Sequence, residues 1–159
     1  MVEMVENEWR KEMKISTRGR YGVRLMLELA AHYGKETVTL RQISKDQCIS
    51  EKYLWHLVPP LKTAGLLRSG RGAHGGYSLA KPPSRITLKD VVTAVEGPLF
   101  PTLCAGDPSS CKRSASCASR DIWEEIGKKV GQILSSVTLD ELAQRQNNKA
   151  KKATGMYYI

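Results

Sequence analysis

Between Thr39 and Ala80 two short helix signals stand three residues apart and are followed by two short strand signals around a glycine-rich tip, an order that few small folds accommodate. Thr39 can cap a helix running to about Gln47, and Ser50 can cap a second beginning at Glu51, leaving only Cys48, Ile49 and Ser50 between them. A connection this tight makes a helix-turn-helix. Cys48 is read as a small residue that lets the two helices cross closely, not as a ligand. The second helix carries Tyr53, Leu54, Leu57 and Leu61, and Pro59-Pro60 predicts a kink or early end, because proline lacks the backbone donor and crowds the preceding turn. Leu66–Ser69 and Tyr77–Ala80 then flank Gly70-Arg71-Gly72-Ala73-His74-Gly75-Gly76, the pattern of a hairpin with a flexible tip. Helix-turn-helix followed by such a hairpin is a winged helix.

The flanking segments are helical. Leu25, Met26, Leu29 and Ala30 recur at helical spacing between Thr17 and about Tyr33, with Ser16 or Thr17 as cap and Gly34 as stop. Thr87-Leu88-Lys89-Asp90 has the form of a capping box ahead of Val91, Val92, Ala94 and Val95, closed by Gly97-Pro98. From about Ser119 to Ser136 an apolar stripe of Ile122, Trp123, Ile126, Val130, Ile133 and Leu134, extended by Val137, predicts a long amphipathic helix. A second capping box, Thr138–Glu141, starts a last short helix through about Gln146. The expected fold is mostly α with a small β-hairpin wing, an α+β winged helix-turn-helix with a long C-terminal dimerisation helix. Its expected parts are an N-terminal extension (1–12), the winged domain (13–97), a cysteine-rich loop (98–118), dimerisation helices (119–146) and a flexible tail (147–159). A twofold homodimer would bury the stripe and match palindromic DNA, with part of the stripe packing on its own domain.

Charge points the same way. The formal net charge is +9, and residues 13–85 hold thirteen basic against four acidic side chains, so the excess is concentrated on the winged part. Such a field attracts polyanions and gains from counterion release, which makes nucleic acid the first partner to consider against a merely solvated face. In a helix-turn-helix the start of the second helix meets base edges in the major groove, here Ser50, Lys52, Tyr53 and Trp55, with His56 beside them and Ser50 also serving as the cap. Arg71 on the wing tip suits a narrow minor groove. No run of about 18 apolar residues is present to span a bilayer, and the first residues lack the apolar stretch of an export signal, so a cytoplasmic protein without membrane contact is expected. No nucleophile–base pair, phosphate loop or paired-carboxylate motif stands out, and an enzyme is not expected.

Of four cysteines, three fall in the loop with the spacing Cys104-x6-Cys111-x5-Cys117. A reducing compartment disfavours structural disulfides there. The spacings exceed those of zinc knuckles, yet loops of this length can wrap three thiolates around an iron–sulphur cluster with one coordination site left over. Free or redox-active thiols and zinc remain the alternatives.

Ser16–Ala30 (STRGRYGVRLMLELA), Ile49-Ser50-x-x-Tyr53-Leu54, Ala64–Ala80 (AGLLRSGRGAHGGYSLA) and the three-cysteine loop before a long helix together resemble the IscR/NsrR family of bacterial regulators, also called the Rrf-two family, over about Met13–Gln146. The resemblance implies a winged-helix homodimer that regulates transcription, expected to act as a repressor, with an iron–sulphur cluster on Cys104, Cys111 and Cys117 and a minor-groove arginine at Arg71. It also exposes departures. Where IscR-like proteins have a histidine ligand three positions after the last cysteine this chain has Arg120, and where NsrR-like proteins have an aspartate in the first helix it has Arg20. Neither guanidinium can ligate iron, which leaves His56, His74, Asp107 or an external water or thiol for the fourth position, and 2Fe-2S or 4Fe-4S open. Trp55 replaces a DNA-contacting glutamate of IscR. The competing expectation is a cluster-free regulator of cysteine or sulphur metabolism, controlled by thiol oxidation or a partner.

Overall fold

The computed structural model describes residues 15–72 and 75–155. Seven α-helices among them are α1 (Thr17–Ala31), α2 (Leu40–Gln47), α3 (Glu51–Thr63), α4 (Leu88–Glu96), α5 (Leu103–Gly106), α6 (Ala118–Ser135) and α7 (Leu139–Gly155); strands β1 (Leu67–Ser69) and β2 (Tyr77–Leu79) lie between α3 and α4. The strands pair antiparallel, Leu67 opposite Leu79 and Ser69 opposite Tyr77. An isolated bridge from Val38 to Tyr77 fastens the segment before α2 to the wing.

The helix starts follow their caps. Ser16, Thr39 and Ser50 accept N–H groups three residues on, and Thr87 and Asp90 form the full reciprocal box. Of the box predicted at Thr138, the Thr138 half is present, the Glu141 N–H donated to the Thr138 hydroxyl at 3.2 Å. Leu25, Met26 and Leu29 of α1, Ile43 of α2, Leu54, Leu57 and Leu61 of α3, Leu79, Ile86, Val91 and Leu139 close into one core. Within it α1 packs tightly on α4, where an added Cβ on Gly22 would stand only 3.2 Å from Val95.

Three expectations are corrected. α3 runs through Pro59 and Pro60 to Thr63. The carbonyls that lose their donors belong to Trp55 and His56, both exposed, while Leu54, Leu57, Val58 and Leu61 are buried along the other face and hold the helix by packing. α7 continues to Gly155, past Gln146 and through most of the expected tail. Lys149, Ala150, Lys151, Lys152 and Ala153 favour helix, and no proline intervenes. α1 ends at Ala31, with His32 as its C-cap, two residues short of Tyr33. The N-terminal extension, residues 1–12, lies outside the described residues.

α6 buries only Gly127 and Gly131 fully, and leaves Ile122 53%, Trp123 38% and Ile133 65% exposed. Its inner side is occupied by Phe100, the chain's one phenylalanine, whose ring sits where a Cβ of Gly127 or of Gly106 would be, at 2.3 and 2.9 Å. Among the described residues no helix is long and apolar enough to cross a membrane.

Candidate DNA-reading face and cysteine loop

The turn before α3 is shaped by Cys48, which caps α2 in the left-handed region at φ 51°, a conformation that costs a side-chain-bearing residue energy. The position is exposed, so the turn conformation, not a close helix crossing, is what this residue supplies. Ile49 is buried, and the Ser50 hydroxyl accepts the Tyr53 N–H at 3.2 Å. The first turns of α3 then expose Glu51, Lys52, Trp55 and His56. Tyr53 is half-buried, its ring edge-on to Tyr21 of α1 at 5.3 Å and 80°. Of the four residues expected to read bases, Lys52 and Trp55 (56% exposed) face solvent, Ser50 is engaged as a cap, and Tyr53 is packed.

At the wing Arg71 is exposed beside Gly72, whose φ of +103° requires a residue without a side chain. The tip is closed by the Gly75 N–H on the Gly72 carbonyl at 3.0 Å and the Gly70 N–H on the Gly76 carbonyl at 2.7 Å. His74 lies outside the described residues.

Sequence reading missed the support behind α3. Arg24 of α1 bonds the side chain and backbone carbonyl of Gln47, the last residue of α2, and its guanidinium carbon lies 5.6 Å from the Tyr21 ring centre. Only the helical spacing of Tyr21 and Arg24 hints at this, and it does not reveal the partner on α2.

The cysteine loop is ordered by α5, by single 3₁₀ turns at Pro108–Ser110 and Ser114–Ser116, and by Arg120. The Arg120 Nε donates to the Cys104 carbonyl at 2.8 Å, while its backbone N–H bonds the Cys117 carbonyl at 3.1 Å as part of the opening turn of α6. The same guanidinium pairs with Glu124 at 3.3 Å. Arg120, considered above only as a failed ligand, thus ties the loop to the first turn of α6. Arg20 is exposed on α1, bonded to the Thr17 hydroxyl.

All three loop thiols are free and half-buried. Cys104 Sγ lies 3.4 Å from the Thr102 hydroxyl, and Cys117 Sγ lies 3.2 Å from that of Ser119. The Ser119 hydroxyl, helped by the Arg120 backbone N–H, holds the Cys117 thiol below its ordinary range. Asp107, between the first two cysteines, has its carboxylate bonded by the Ser109 hydroxyl and N–H at 2.6 and 3.0 Å, which lowers its pKa. In kind, three free thiols fit iron–sulphur or zinc chemistry. In position, no three His, Cys, Asp or Glu side chains among the described residues are gathered so as to hold one metal ion. The cysteines share a loop and not yet a point.

The family described as "Rrf2: Iron-dependent Transcriptional regulator" matches residues 15–145. The chain is similar to the HTH-type transcriptional regulator CymR of Bacillus subtilis (strain 168), 40% identical over 147 residues that cover 92% of this chain and 100% of that protein. It is 35% identical to the HTH-type transcriptional regulator IscR of Serratia proteamaculans (strain 568) over 149 residues, 88% of this chain and 90% of that one. Among solved structures, CymR, described as the global cysteine regulator of B. subtilis, superposes with a TM-score of 0.69 at 41% identity, covering 83% of this chain and 97% of that one. IscR of T. potens superposes with a TM-score of 0.68 at 35% identity, covering 84% and 88%.

Proposed function

The chain belongs to the Rrf2 family of transcriptional regulators, and from that premise we propose that it is a cytoplasmic homodimeric repressor, and not an enzyme, whose hold on a palindromic DNA site is set by an iron–sulphur cluster on Cys104, Cys111 and Cys117. Lys52 and Trp55 meet the major groove, with Ser50 and Tyr53 fixing the helix that carries them, and Arg71 enters the minor groove. The observation that carries the cluster reading is three free thiols on one loop, the first of them tied by the Arg120 side chain to the start of α6, where the third lies.

When bound, the cluster supplies a centre sensitive to oxygen and redox state. The remaining work belongs to the chain. Cys104, Cys111 and Cys117 would hold the cluster through their thiolates. The loop begins at Gly97, next to Glu96, whose carboxylate caps α1; α1 in turn backs α3 through Tyr21 and Tyr53. A displacement of the loop therefore has a packed route to the reading helix, and a coupling of about 1–3 kcal/mol changes DNA affinity by roughly 5- to 150-fold.

A second reading is a cluster-free regulator of cysteine or sulphur metabolism controlled by thiol oxidation or a partner. It is favoured by the similarity to CymR, described as a global cysteine regulator, and by the ungathered sulphurs. Anaerobic isolation followed by visible absorption and by iron and sulphide assays separates the two. Coloured protein that loses iron when any one loop cysteine is replaced by serine supports the first; colourless, iron-free protein overturns it in favour of the second.

A further inference from the structure

The reading helix is steadied by a network that neither it nor the wing supplies. Gln47 ends α2, so its backbone carbonyl is among those a helix leaves without an internal partner. Arg24 donates an Nη2 N–H to that carbonyl and directs Nε to Gln47 Oε1 at 3.2 Å. The Gln47 amide nitrogen donates onward to Glu28 Oε2 at 2.7 Å, so the amide is held at one end by a cation and at the other by a carboxylate. The same guanidinium lies over Tyr21, and Tyr21 meets Tyr53 edge-on. One side chain of α1 therefore grips the last residue of α2 and, through a single ring, the first turn of α3. These two points lie on either side of the turn Cys48–Ser50, whose conformation sets the angle between the helices.

We propose that Arg24 is a positioning residue for DNA reading: it fixes the direction of α3 from behind and does not itself touch DNA. Arg24 is half-buried and has hydrogen-bonding and ring partners on α2 and α1, unlike the exposed Arg71. The role needs the guanidinium plane, because a flat fork can bond a carbonyl and an amide while its face lies over a ring, and an ammonium has only a point charge to offer. Loss of that grip leaves α3 folded on its buried Leu54, Leu57, Val58 and Leu61 but lets its exposed end swing relative to the wing. Sequence-selective contacts depend on that angle, whereas non-specific phosphate attraction does not.

The test rests on the DNA-binding reading and checks it separately. The unsubstituted protein is used to enrich a duplex from a randomised pool, and binding to that duplex and to a shuffled one is then measured across salt concentrations for Arg24→Lys, Arg24→Ala and Gln47→Ala. Both Arg24 variants are expected to bind the enriched duplex about tenfold more weakly or worse, with shuffled-duplex affinity and the slope of affinity against salt unchanged. Gln47→Ala, which removes the amide and keeps the backbone carbonyl, is expected to lose affinity in the same direction by a smaller factor. A salt slope reduced by about one in the Arg24 variants means a direct phosphate contact and overturns the proposal. So does undiminished affinity for the enriched duplex in Arg24→Lys and Gln47→Ala, even where melting temperature falls. If Arg24→Ala does not fold, those two variants decide. Failure of the unsubstituted protein to enrich any duplex overturns the DNA-binding reading, and this proposal with it.

Discussion

Glu96 Oε1 lies 2.9 Å from the backbone nitrogen of Gly19, accepting at the N-terminus of α1 an N–H that the helix itself leaves unpaired. The same oxygen accepts the N–H of Ser16 at 2.9 Å and its hydroxyl at 2.7 Å, across eighty positions of sequence. A carboxylate at the end of α4 thus meets the positive end of the α1 dipole, and Gly19 is the residue that makes room for it.

Gly19→Ala tests that fit. The added Cβ would stand 2.1 Å from Glu96 Oε1 and 2.9 Å from Ile15 Cγ2, so the carboxylate must leave. Intrinsic propensity favours alanine by about 1 kcal/mol, yet the expected outcome is a loss of about 1–3 kcal/mol in denaturant unfolding. Glu96→Gln, which keeps an acceptor and loses the charge, should cost about 0.3–1 kcal/mol. A stabilised Gly19→Ala protein would show that the cap is dispensable.

Gly127→Ala should release the segment after α4. Its Cβ would meet Phe100 Cδ1 at 2.3 Å, and no small adjustment of a ring already seated against Gly106 relieves that. Stability is expected to fall by about 1–3 kcal/mol, with faster limited proteolysis between residues 98 and 118. A protease pattern identical to that of the unsubstituted protein would contradict the docking.

The wing and the reading helix should fail in different ways. Arg71→Ala is expected to weaken DNA binding and lower the salt slope by about one, as loss of one cationic contact requires. Trp55→Ala should alter which sequences are preferred and leave the slope unchanged. Anisotropy titrations at several salt concentrations read both, and an unaltered affinity in Arg71→Ala removes the wing from the interface.

Cys117 should become a thiolate at lower pH than an ordinary cysteine, because the Ser119 hydroxyl bonds its sulphur. Removing that bond in Ser119→Ala raises the thiol's pKa, so the alkylation midpoint of Cys117 in the cluster-free protein moves to higher pH. Brief iodoacetamide pulses across pH, read by mass spectrometry, follow it directly. A midpoint that does not move would assign the effect to the Arg120 backbone instead.

Much of this architecture is legible in the sequence because local signals and burial agree. Ser16, Thr39, Ser50 and Thr87 each start a helix where their side chains predict, and the wing strands fall within a residue of their expected limits. Pro59-Pro60 misleads because its local penalty is opposed by burial of side chains on the far face of α3, which tertiary packing decides. α7 is underestimated for the opposite reason: beyond Ala143 its exposed residues carry no apolar stripe to mark a helix, only propensity. In the site, residue type and spacing single out the cysteines and Arg71, whereas Arg24 and Glu96 act through partners on other helices, and no periodicity announces those.

The bond from the Arg120 side chain to the Cys104 carbonyl also bears on chain entropy. Joining the ends of a flexible segment costs free energy that rises slowly, as about (3/2)RT ln n, and here the fold meets that cost for the segment from Cys104 to Arg120. Cys104 is thereby kept near the start of α6, where Cys117 lies, and the residues between them form a closed loop instead of a free chain.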